Sequence, residues 1–171
     1  MDDKDVYVIK ELDKYVSISE YLKNQHHSLC YVGLETKIIE ANRWISKQLQ
    51  IPLAAKVFSY RKLRIVDDVP KSIDHVYLPY EKVKGIEKLN LDDVSFYAVL
   101  KEHFGLQVNY NEEELMIGVP TEEEKTLLRL KDEEEVLITK GSTYINTKEP
   151  LEYFEVTSVT SFYRFRSVSK V

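Results

Sequence analysis

Cysteine is nearly missing from this 171-residue chain. Cys30 is the only one, so no intrachain disulfide can form and no cysteine-based zinc site can be assembled. Glycine and proline, five of each, are too few for collagen-like or linker-like material. No apolar run approaches the ~18 residues that a membrane-spanning helix needs, and no apolar signal region follows the acidic start Met1-Asp2-Asp3-Lys4-Asp5. A basic excess is missing too: 24 Lys and Arg stand against 29 Asp and Glu, for a net charge of −5 and a pI near 5.5. Such a surface repels phosphate backbones and anionic membranes, so a role on nucleic acid needs a basic patch or a further module. These absences lead us to expect a cytoplasmic protein that touches no membrane. What is present, 43% apolar and 11% aromatic residues, is enough to bury one real core.

The patterns along the chain predict long strands with short helices between them. Val6 to Ile9 reads as a strand. Ser17-Ile18-Ser19-Glu20 reads as a helix start, with Ser17 and Glu20 spaced for a capping box. β-branched and aromatic residues from Ser28 to Glu40 predict a strand, and apolar residues at three- and four-residue spacing over Arg43 to Gln50 predict a helix ended by Pro52. In a strand over Val57 to Val66, Phe58, Tyr60, Lys62, Arg64 and Val66 share one face, which puts the two cations about 7 Å apart. Asp67-Asp68-Val69-Pro70 forms a turn, and Ser72 to Leu78 returns antiparallel, carrying Asp74. Ser95 caps a helix running to His103, which ends at Gly105. Further elements are a strand over Leu106 to Val119, a helix from Thr121 to Leu128, a strand over Val136 to Ile145, and a last strand pair, Leu151 to Ser158 with Phe162 to Val168. Without regular strand-helix-strand alternation this is an α+β domain: an antiparallel β-sheet flanked by short helices.

Little in the sequence suggests catalysis. Neither a glycine-rich phosphate loop nor a nucleophile elbow is present. His26 and His27 are adjacent and would point to opposite faces of a strand, with His75 and His103 far off, so no metal site and no cofactor are expected. Cys30 reads as a small buried residue. The runs Glu112 to Glu114, Glu122 to Glu124 and Glu133 to Glu135 read as solvated carboxylates at turns and at a helix N-terminus. Glu152 differs, because it shares a strand face with Phe154 and Val156. A carboxylate there needs a partner, either a protein cation or a ligand hydroxyl. Lys62 and Arg64 admit two readings, as salt-bridge partners of Asp74 or as one wall of an anion pocket completed by Ser95 and Tyr97 at a helix N-terminus.

The order Lys62-Leu63-Arg64-Ile65-Val66-Asp67-Asp68-Val69-Pro70, Tyr77-Leu78-Pro79, Ser95-Phe96-Tyr97-Ala98-Val99-Leu100 with His103-Phe104-Gly105, and Glu149-Pro150-Leu151-Glu152-Tyr153 with Tyr163-Arg164-Phe165 resembles the UTRA domain. This is the effector-binding half of bacterial transcription regulators in the HutC branch of the GntR family. The resemblance implies a chorismate-lyase-like fold over residues 17–171 and a homodimer. It also implies a small anionic effector, often a phosphorylated sugar, and DNA contact only through an N-terminal winged helix-turn-helix domain. Only sixteen residues precede Ser17, so residues 1–16 read as the lead-in from such a domain and the chain as the sensing half of a repressor, not an enzyme. Carried over by motif, Lys62, Arg64, Ser95 and Tyr97 hold the phosphate, Ser19 joins them, and Asp74 and Glu152 take sugar hydroxyls. The chain departs from the family where Lys62 replaces an arginine, where Ile18 replaces an aromatic, and at Ser158-Val159 and Ser161, where many members have an aromatic-arginine pair and an aspartate. These departures imply a smaller or differently contacted effector. Two other readings belong to different classes: a chorismate-lyase-like enzyme, and a dimerisation domain without ligand.

Overall fold

Asp67 and Asp68 both adopt left-handed backbone angles (φ 48° and 64°), and that two-residue turn sets the centre of the fold. It joins β3 (Lys56–Val66) to β4 (Val69–Pro79) in a long antiparallel hairpin. The turn is therefore shorter than the expected Asp67-to-Pro70 turn. Val69 and Pro70 already pair with Val66 and Ile65, and the register then shifts so that Ser72 faces Arg64 and Asp74 faces Lys62. Pro70 is tolerated in β4 because it sits at this irregularity and lies outside the Ser72–Tyr77 stretch that pairs with the next strand.

The computed structural model describes residues 6–92, 94–146 and 148–170. Around the hairpin, β2 (Leu29–Glu40), β5 (Tyr110–Gly118), β6 (Val136–Tyr144) and β7 (Pro150–Val159) complete a six-stranded antiparallel sheet in the order β2-β3-β4-β7-β6-β5. The fold class is the expected α+β. Four short helices flank the sheet: α1 (Ile18–Asn24), α2 (Arg43–Leu49), α3 (Phe96–Phe104) and α4 (Glu122–Leu128). One core packs Phe96, Val99 and Leu100 of α3 on Phe58, Tyr60, Val76 and Leu78. Smaller clusters join Ile45 and Leu49 of α2 to Val57 and Tyr153, and Leu128 of α4 to Leu63, Ile73 and Val136. None of the described helices is long and apolar enough to cross a membrane.

The last expected strand pair is corrected. A short 3-10 turn over Thr160–Phe162 follows β7, and β8 (Tyr163–Arg166) leaves the sheet to pair in parallel with β1 (Val8–Glu11). Phe162 drives this, because it is fully buried in a separate cluster with Val8, Leu22 and Val66. The helix ends also differ in detail. Ser17 accepts from the Glu20 amide but the reciprocal half of the box is not formed, whereas Thr121 and Glu124 form both halves. Ser95 holds the N-cap position of α3 without a side-chain bond, and Gly105 ends that helix at φ 66°. Residues 106–109 precede β5 instead of belonging to it, and Glu112 to Glu114 lie within β5, not at a turn. His26, in a turn and left-handed, and His27 after it lie between α1 and β2, so the strand argument against them does not apply. Cys30 is half-buried.

Gly141 of β6 has no room for a side chain. A Cβ there would lie 2.9 Å from Glu113 Cα and 2.8 Å from Phe154 Cζ, and would overlap the Glu112 carbonyl oxygen. Gly141→Ala is expected to destabilise by on the order of 2–3 kcal/mol through overpacking. Urea unfolding reads this directly, and an unchanged midpoint would mean that β5 and β6 do not pair in this register.

Candidate functional site

Because β3 side chains alternate, Lys62 and Arg64 continue the face that buries Phe58 and Tyr60. There the apolar core gives way to a cavity of about 140 Å³, with room for on the order of ten waters. The sheet supplies one wall, to which all six of its strands contribute. The start of α3 and the segment from β1 into α1 supply the others. All seven residues singled out from the sequence, Ser19, Lys62, Arg64, Asp74, Ser95, Tyr97 and Glu152, line this one cavity. The conjunction of strand and helix start that the pocket reading required is therefore present in space.

The two cations of the basic pair differ in their surroundings. Arg64 is the salt-bridge partner: its Nη2 donates to Asp74 Oδ2 at 2.6 Å, and its Nη1 donates to Ser72 Oγ and Tyr163 Oη, each at 3.1 Å. Ser72 Oγ donates to the other Asp74 oxygen at 2.8 Å. Burial is the largest influence and works against the guanidinium charge, but Asp74, Tyr31 and Tyr163 together outweigh it and keep Arg64 well above its ordinary range. Each Asp74 oxygen thus has one partner within the protein. Lys62 is different. It is 6% exposed and has no ion-pair partner among the described residues, and its ammonium sits 4.1 Å from the centre of the Tyr31 ring and 5.4 Å from that of Phe96. Burial pushes it down to about 8, with Asp74 only partly opposing the shift.

At the other end, Glu152 is 1% exposed and has no protein cation as ion-pair partner among the described residues. Its Oε2 accepts from Tyr97 Oη at 2.7 Å and from Thr143 Oγ1 at 3.0 Å, so two protein hydroxyls hold it. Burial raises its carboxyl to about 7, against the pull of those two bonds. Tyr97 is raised well above its usual value, by burial first and by Glu152 second. Tyr97 is therefore tied to the carboxylate end of the cavity. Ser19 and Ser95 line the cavity, and Ser19 Oγ lies 3.3 Å from Ser17 Oγ.

The sequence reading missed Ser72, Thr143, Tyr163 and Tyr15. Ser72 could have been found, since it shares the β4 face with Asp74 two residues on. Thr143 and Tyr163 depend on the β6–β7 register and on β8 leaving the sheet, for which a single sequence carries no local signal. Tyr15 follows Lys14 in the loop before α1, and Glu152 contributes to the upward shift of its phenol to about 12, second to burial.

Comparison with known proteins gives a consistent family. The model of the UTRA domain matches residues 24–164. The mannosyl-D-glycerate transport/metabolism system repressor MngR of Escherichia coli K12 is 21% identical over 167 residues, which are 98% of this chain and 69% of that protein. The HTH-type transcriptional regulator YurK of Bacillus subtilis is 26% identical over 106 residues, 62% of this chain and 42% of its own length. Among solved structures, the effector domain of PhnF from Mycobacterium smegmatis superposes with a TM-score of 0.86 at 16% identity, covering 96% of this chain and all of that one. PhnF with a longer chain gives the same score and is covered over 72% of its length.

The carboxyl of Glu152 makes stability depend on pH. Its folded value, about 7, lies above the ordinary carboxylate value of 4.5, so the folded state keeps a proton that the unfolded chain gives up between those limits. The stabilisation is complete below pH 4.5 and is lost as pH rises through 7, by on the order of 3 kcal/mol. Glu152→Gln keeps an acceptor for Tyr97 and Thr143 and is expected to remove this loss. Urea unfolding of both proteins at pH 5 and pH 7.5 tests it, and an equal fall in the two would refute the assignment.

Proposed function

Since the chain belongs to the UTRA domain family, we propose that it is the effector-binding domain of a GntR-family transcription regulator that senses a small anionic metabolite, such as a sugar phosphate. The single observation that carries this is Lys62, a buried ammonium without a carboxylate partner, facing a cavity. An isolated buried charge is costly, and an anion entering the cavity would offset that cost. Arg64 presents a neutralised but still positive neighbour. Asp74, locked to it, keeps the guanidinium fixed and so prepares the wall.

The sensing reading also has a route outward. Tyr163 accepts from Arg64 and pairs in register with Val8 of β1, and Lys10 of β1 lies 5.4 Å from the Tyr163 ring centre. Residues 1–16, read as the lead-in from a DNA-binding domain, therefore carry a strand attached to the cavity wall. Effector binding would favour one arrangement of β1 and β8, and through it one geometry of a homodimer with its DNA-binding heads. The open cavity favours this reading over a dimerisation domain that has lost its ligand.

Lys62→Met removes the charge without breaking an ion pair. It is expected to raise the melting temperature at pH 7 while weakening sugar phosphate binding at least tenfold. Saturating ligand should stabilise the parent by about 2.7 kcal/mol at a hundredfold excess over Kd. Affinity for an anion should fall as pH rises above 8, where free Lys62 loses its proton, by about tenfold per pH unit. Thermal-shift titration with a panel of sugar phosphates between pH 7 and 9 measures both effects. Equal binding by Lys62→Met and the parent would exclude the anion wall.

A further inference from the structure

The charges lining the cavity pair off almost completely. Lys10 meets Glu113 at 2.9 Å, Lys14 meets Glu11 at 2.6 Å, and Arg64 meets Asp74 at 2.6 Å. Among the described residues that line the cavity, two buried charges lack an ion-pair partner, Lys62 and Glu152, one of each sign. They have not satisfied each other, although each perturbs the titration of the other across the cavity. The sheet explains why. Lys62 lies in register with Asp74, and Asp74 with Val156 on β7, whereas Glu152 is four residues back along β7 and so about 13 Å further down the strand. The long lysine side chain shortens that gap without closing it.

A simple anion meets only half of this arrangement. Placed on Lys62, it adds a second negative charge near Glu152 and leaves the carboxylate without a cation. The two bonds to Glu152 from Tyr97 and Thr143 both fall on Oε2, which leaves Oε1 for a further donor. Building on the effector-sensing reading above, we propose that the effector is a small zwitterion, its anionic group held by Lys62 and its ammonium group by Glu152 Oε1. Tyr97 and Thr143 act as positioning residues that fix the carboxylate, and the separation of the two charges selects for ligand length.

Calorimetric titration of the whole chain at pH 7.5 tests this with matched probes: 2-aminoethyl and 4-aminobutyl phosphate against ethyl and butyl phosphate. The expected result is that one aminoalkyl phosphate binds at least tenfold tighter than its alkyl counterpart. Glu152→Gln should erase that preference while retaining alkyl phosphate binding, and Lys62→Met should weaken both. Titration in buffers of different ionisation enthalpy gives a second readout. Proton uptake at Lys62 is offset by release at Glu152 for the zwitterion only, so the aminoalkyl phosphate should exchange fewer protons. Equal affinity of the parent for both members of each pair would overturn the zwitterion and leave anion sensing standing. Failure of these probes and of every sugar phosphate to bind would overturn both.

Discussion

The buried bond between Arg64 and Asp74 is the constraint on which the cavity depends. Neither residue can leave the other, since breaking a buried ion pair strands a charge and typically costs about 3–5 kcal/mol. Ser72 and Tyr163 fill the remaining hydrogen-bonding positions, so the group is satisfied on both sides except at the buried Arg64 Nε. It is also what joins the hairpin to β8. A guanidinium reaching from β3 to the Tyr163 hydroxyl ties the six-stranded sheet to the small parallel pair, and the cavity lies in the angle between them.

That tie depends on the irregularity after the Asp67-Asp68 turn. Without the register shift between Arg64 and Ile65, Ser72 would not face Arg64 and Asp74 would not face Lys62. One extra residue in β4, Lys71, is thus what places the two polar members of that strand on the cavity side. The left-handed turn angles, unfavourable for most residues, fall on aspartates. Asp67 also accepts from the Ser28 amide at 2.8 Å and pairs with His27 at 2.7 Å, so the turn is pinned to the start of β2.

Much of this was legible in the sequence because it is local. The alternation over Phe58 to Val66 put both cations on one face, and the Ser95–Gly105 pair bracketed α3 to within a residue. The shared pocket of all seven candidate residues followed from motif order. What was not legible is long-range. The fate of the last strand depended on whether Phe162 would be buried against Val8 and Leu22, and no periodicity reports a choice of partner. Glu152 gave a clear signal of needing a partner, but its hydroxyl donors come from β6 and α3, elements whose register and docking only the fold defines. The same holds for the division of labour between Lys62 and Arg64: adjacent on one face, they are equivalent in sequence and opposite in electrostatic state.

That inequality is what gives the cavity its chemistry. Had both cations been paired, the site would be neutral and closed to charge; had both been free, burial would deprotonate one of them. Pairing Arg64 fixes the geometry, and leaving Lys62 unpaired keeps its ammonium near the limit of its stability, at about 8. Glu152 is poised in the mirror sense, at about 7. Burial therefore brings both groups, one of each sign, to titrate near neutral pH. The charge carried by the cavity walls is thus set by burial, and any contact that favours the charged forms works against that one influence.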